Sequence, residues 1–149
     1  MPAGDLLAED WQHEVNGYLI GRDDGWDVES VAGWMGNTVR PSDVDLALSD
    51  GAVSTLDTLG ARVITLNLVV GDLATAADVI DAASDLQTAW APGADVDLHA
   101  KLPHLGHVKI TGRCRDLVFA NFDDGTNAGV LSAQATFYAA DPTVEVVTP

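Results

Sequence analysis

The stretch RVITLNLVVG, residues 62–71, decides how the rest of the chain is read. Ile64, Leu66, Leu68 and Val70 fall on one side of a two-residue period, and Val63, Thr65, Asn67 and Val69 on the other. That alternation, rich in β-branched residues, predicts a strand from Arg62 to Val70 that Gly71 ends. The period then changes. Ala76, Val79, Ile80, Ala83, Leu86 and Trp90 recur at helical spacing and predict one amphipathic helix from about Ala74 to Trp90. Thr75 with Asp78 three residues on reads as an N-cap with an acid at the positive helix end, and Pro92-Gly93 stops the helix. Alone, such a helix would leave its apolar stripe wet, so it must cover a sheet.

Outward from this centre the chain alternates repeatedly. Tyr18 to Arg22 and Trp26 to Val31 flank Asp24-Gly25, and Val44, Leu46 and Leu48 precede Asp50-Gly51. Val96, Leu98, Ala100 and Leu102 alternate with Asp97, His99 and Lys101; Val108, Ile110, Gly112 and Cys114 alternate with Lys109, Thr111, Arg113 and Arg115. After Asp116 the apolar phase slips by one, to Leu117 and Phe119, as at a β-bulge. In the last long strand, Val130 to Ala139, residues Leu131, Ala133, Ala135 and Phe137 face inward. Asp-Gly pairs tolerate positive φ and favour tight hairpins, so Asp24-Gly25, Asp50-Gly51 and Asp124-Gly125 argue for antiparallel pairing. The expected fold is therefore α+β, an antiparallel β-sandwich flanked by one α-helix, as a single domain over residues 1–149.

Composition narrows the function. The chain carries 23 acidic against 7 basic residues, a net charge of −16, which repels nucleic acid because affinity there comes from Lys and Arg on phosphates. A GC-rich genome or a salty cell would produce this balance, and so would a conduit wall that DNA passes without sticking. No apolar run reaches membrane-spanning length, so no membrane insertion is expected. The lone Cys114 makes no internal disulfide.

Chemistry-bearing motifs are sparse. His99, His104, His107 and Cys114 match no common zinc spacing, and Pro103 interrupts them. Asp23, Asp24 and Asp27, and Asp123, Asp124 and Asn127, could offer oxygens to calcium, but hairpin turns explain the same residues. No nucleophile elbow, Walker loop, dinucleotide fingerprint or HExxH is present, so no catalytic, metal or cofactor site is expected and the protein reads as no enzyme. Trp26 and Trp90 sit in regular patterns as core. Trp11 and the loop pair Trp34-Met35 are either folded back or docked on a partner, where tryptophan is enriched.

The order of features also has a familiar outline. YLIGRDDGWDVESVAGW is followed by VRPSDVDLALSDG, and GARVITLNLVVG by a helix ending in LQTAW. VDLHAKLPH, VKITGRCRDL and a closing strand ending in YAADP come next. Over nearly its whole length the chain resembles the N-terminal ring domain of siphophage distal tail proteins and related minor tail proteins. That resemblance implies a tail-tube-type sandwich in a hexameric ring at the distal end of a virion tail, contacting copies of itself, the tail tube protein and the tail hub or tip protein. The tape measure protein, and later DNA in transit, would thread it. Arg62 and Gly112-Arg113 match positions that recur in that family, read as holding strand ends and ring contacts. Many relatives carry a second, galectin-like domain, which is not expected within these residues.

A ring built head-to-tail needs two different complementary patches on each subunit. Lys101, Lys109, Arg113 and Arg115 cluster along two strands, while Asp72, Asp78, Asp81 and Asp85 mark the helix region. The candidate assembly residues are thus Trp11, Trp34, Met35, Arg62, Lys101, Lys109, Arg113 and Arg115. The rivals are a tail-tube or tail-terminator subunit and, from another class, a small-ligand or carbohydrate-binding β-sandwich with Trp11 and Trp34 lining a groove.

Overall fold

Alternation along one strand, carried through to its neighbours, builds the molecule. A computed structural model describes residues 4–21, 25–36, 39–40, 44–45, 52–53, 58–71, 75–120 and 130–147. In chain order the strands are β1 (His13–Val15), β2 (Tyr18–Ile20), β3 (Trp26–Ala32), β4 (Val39–Arg40), β5 (Val44–Asp45), β6 (Ala52–Val53), β7 (Thr58–Leu59) and β8 (Arg62–Val70). The helix α1 (Ala76–Ala89) follows, then β9 (Val96–Leu102), β10 (Gly106–Ala120), β11 (Leu131–Ala139) and β12 (Glu145–Val146). Among the described residues every strand pair is antiparallel. The α+β class, with antiparallel strands and a single helix among the described residues, is as the sequence predicts.

One eight-stranded sheet runs in the order β2-β1-β9-β10-β11-β8-β3, with β12 added beside β10. β10 joins its halves: residues 106–112 pair with β9, and residues 113–120 pair with β11 across a register shift between Cys114 and Leu117. This shift is the bulge that the slipped apolar phase predicts. In a flat sheet the edges β2 and β3 would lie six strand spacings apart, roughly 29 Å. Instead the Gly21 N–H donates to Trp26 O at 2.7 Å, so the sheet curls until its edges meet. Asp24 lies outside the described residues, and the described β2 and β3 are joined by this bond and not by a ladder. In chain order the short pair β5–β6 falls between the strands of the short pair β4–β7. Leu46, Leu48, Asp50-Gly51, Asp72 and Asp124-Gly125 lie outside the described residues.

The core sits inside the curl. Ile64, Leu66, Leu68 and Val70 are fully buried, as are Phe137, Ile110, Leu98 and Trp26. α1 closes over it with Val79, Ala83, Leu86 and Ala89, while Ala76 and Ile80 are exposed. The buried line thus runs one position to the side of Ile80. Thr75 makes the full capping box with Asp78. Side chains from the sheet tie the helix down: Trp26 Nε1 donates to Ala82 O at 2.9 Å and Asn16 Nδ2 to Ala89 O at 2.8 Å. At its end, Trp90 packs edge-on to Phe137 with ring centroids 6.1 Å apart.

Candidate functional site

Along β10 the odd-numbered residues before the bulge share one face, which brings Lys109, Arg113 and Arg115 into a row as the spacing predicts. Each is already engaged within the chain. Lys109 lies 3.5 Å from Glu145, and Arg113 Nε donates to Asp95 Oδ1 at 3.0 Å. The Arg115 guanidinium stacks 4.5 Å over the Tyr138 ring, and Lys101 Nζ donates to Ala8 O at 2.8 Å. The Arg113–Asp95 pair is exposed on both sides, so it contributes little to monomer stability and is free to exchange partners.

Arg62 stands apart from this row. Its Nη1 donates to Gly33 O at 2.7 Å and to Trp34 O at 3.0 Å, and its Nε donates to Pro142 O at 2.9 Å. One guanidinium fork therefore pins the loop after β3 and the segment after β11 to the head of β8. An arginine heads β8 because its five fixed donors can satisfy carbonyls from two segments at once.

Trp11, Trp34 and Met35 do come together. With Val31, Leu102, Pro103 and Leu105 they line an open apolar groove of about 570 Å³. Trp11 is 48% exposed and Met35 76%. Trp34 is buried, and presents only part of its surface to the groove. Its Nε1 donates to His13 Nε2 at 3.0 Å, and His13 Nδ1 lies 2.9 Å from Trp11 O. Because indole only donates, His13 Nε2 must be the acceptor and Nδ1 the protonated nitrogen. Burial lowers the His13 pKa to about 4, against the small upward pull of the Trp11 carbonyl. Sequence reasoning missed the Leu102–Leu105 wall; the apolar residues around the PHLG turn between two alternating strands were its only signal.

The four-residue cluster His99, His104, His107 and Cys114 is taken apart. Cys114 is in the core, its thiol pushed up to about 11 by burial, and His104 is exposed in the β9–β10 turn. Among the described residues no three His, Cys, Asp or Glu are placed to hold a metal ion. The calcium candidates other than Asp27 lie outside the described residues. His99 lies on the polar face of β9, where the alternation alone would leave it exposed, yet it is only 5% exposed. The N-terminal segment covers that face, with Gly4 packed against the His107 and His99 rings and Lys101 Nζ donating to Ala8 O at 2.8 Å. Glu14, paired across the sheet with His99, is buried with it.

No family model matches the chain, and no curated protein matches it. Among solved structures, the chain is similar to the tail of an empty GTA particle refined helically with C6 symmetry. There the identity is 13% and the TM-score 0.48, over 81% of this chain and 82% of that one. It is also similar to the Dit protein of phage SPP1 (gp 19.1), described as a paradigm of the hub adsorption apparatus in phages infecting Gram-positive bacteria. Here the TM-score is 0.71 at 20% identity, over 90% of this chain and 51% of that one, so the chain spans about half the length of that protein. The capped helix, the strand headed by Arg62 and the curled antiparallel sheet together make a Dit-like fold.

Proposed function

We propose that the chain is a structural subunit of a phage tail, forming a hexameric ring at the distal end that joins the tail tube to the tail hub or tip. The tape measure protein and later DNA pass through its centre. The likeness to the SPP1 Dit protein across 90% of the chain carries this reading. Two further features support it. The cationic row on β10 and the acidic residues Asp78, Asp81 and Asp85 exposed on α1 are complementary surfaces of one subunit, which a head-to-tail contact requires. The net charge of −16 suits a wall that phosphate must slide past.

Labelling the protein in intact particles tests the reading: signal at one end of the tail is expected. Signal along the whole tail would make the chain a tube subunit, and absence from the particle would overturn the proposal. The Arg113→Glu variant should weaken ring assembly by light scattering while leaving monomer stability within about 1 kcal/mol. The groove with its half-exposed Trp11 favours one alternative, a carbohydrate-binding module. A strict monomer whose tryptophan fluorescence responds to oligosaccharides would establish that instead.

A further inference from the structure

The polar cluster under the N-terminal segment has no part in the reading above, and two of its atoms are buried with no hydrogen-bond partner: Glu14 Oε2 and His99 Nε2. A native protein rarely leaves such atoms unpaired without a use for them. We propose that Glu14, His99 and His107 form a proton-operated latch that holds residues 4–11 against the sheet at neutral pH and releases them in mild acid.

The geometry builds the latch from below. His99 Nδ1 lies 2.8 Å from His107 Nε2, with ring centroids 5.0 Å apart. A contact of that length needs one proton and one lone pair between the two nitrogens. Gly4 sits directly on these rings. A Cβ there would collide with the His107 ring and come within 3.2 Å of His99 Nδ1, and the +90° φ of Gly4 further favours glycine. The segment is then fastened onward: Ala8 and Glu9 N–H donate to Gln12 Oε1 at 2.7 and 2.9 Å, Lys101 Nζ donates to Ala8 O, and Trp11 N–H to Lys101 O.

One proton taken from solvent can be accommodated. It leaves a single N–H···N bond between the rings, and Glu14, across the β1–β9 register from His99, supplies the counter-charge. A second proton removes the last lone pair, so two N–H groups and two positive charges face each other at contact distance. The half-buried His107 can relieve this by swinging away from His99, against whose shared contact Gly4 is packed. The surrounding charges are Glu14 on β1, Asp97 and Lys101 on β9, Lys109 on β10 and its partner Glu145 on β12, with Asp5, Glu9 and Asp10 on the segment itself.

Burial holds His99 below the ordinary imidazole range and a charge on His107 adds to this, while Glu14 and Asp97 pull the other way. The closed form therefore favours the neutral ring. Its stability is fully present above the unperturbed value of about 6.5 and is lost as pH falls towards the lowered one. Trp11 ends the segment and lines the apolar groove, so release would also move one wall of that groove.

Amide hydrogen exchange on the full chain from pH 8 to pH 5, corrected for the intrinsic pH dependence of exchange, tests this. Protection of Ala8, Glu9 and Trp11 should fall about tenfold per pH unit for each coupled proton below about pH 6.5, while Leu66 and Ala135 stay protected. In His107→Gln, which keeps a hydrogen-bonding group but takes no proton, the profile should be shallower than wild type, because only the buried His99 remains to be protonated, and in His99→Phe it should be flat. Wild-type protection that persists to pH 5, or a His107→Gln profile falling as steeply as wild type, would overturn the latch. Should His99→Phe not fold, ring NMR of the wild type takes its place. The His99 ring must then change protonation across the exchange transition, and a ring unchanged there overturns the proposal.

Discussion

His13 offers the sharpest test of how the strand order is locked, because its protonation state is fixed by geometry. The ring is fully buried, accepts from Trp34 at Nε2 and donates from Nδ1 to the Trp11 carbonyl. A proton on Nε2 would destroy the Trp34 bond and place a charge in the core. Its folded pKa is lowered to about 4 from an ordinary value of 6.5, so the unfolded chain binds the proton more readily than the folded one. The contribution to stability is complete above about pH 6.5, shrinks as pH falls, and is gone below about pH 4. At about 1.36 kcal/mol per unit the full span corresponds to about 3 kcal/mol, of which roughly 2 is lost between pH 7.5 and pH 5. The perturbation is His13→Gln, which offers Trp34 an acceptor and cannot titrate. Urea unfolding of wild type and variant at both pH values isolates this residue, since the remaining carboxylates and histidines are common to both. The variant should be the less stable protein at pH 7.5, and the gap should close by about 2 kcal/mol at pH 5. A gap that stays constant between the two conditions would refute the neutral, doubly bonded imidazole.

Two further substitutions probe the frame. Arg62→Lys keeps the charge but loses the fork that reaches Gly33, Trp34 and Pro142, and should cost about 1–3 kcal/mol in urea unfolding; an unchanged midpoint would mean the three carbonyls find other donors. Gly112→Ala should cost about 1–3 kcal/mol or more by the same measurement, because a Cβ there collides with the Tyr138 carbonyl and lies 2.9 Å from both Ala139 Cα and the Phe137 ring.

Local signals survived folding, and non-local ones were invisible. The bounds of β8, the Thr75–Asp78 capping box and the slip after Asp116 were legible because each is set by residues within a few positions of one another. His99 was misread for the opposite reason. Alternation places it outward, correctly, and what buries it is a segment some ninety residues upstream that reads only as polar chain. The same holds for Trp34, whose partner His13 lies on another strand, and for the groove, which three separated segments build. The cationic row shows a subtler gap. Counting charges at every second residue of β10 identified a face, yet Glu145 and Asp95 each already take one of its cations, and Tyr138 holds a third by its ring. In the proposed ring, a neighbouring subunit's acids would have to displace partners that the row already has. Exchanging one exposed pair for another changes energy little, so such a contact would set the register of a ring, and its stability would have to come from apolar surface such as Trp11, Met35 and Leu105.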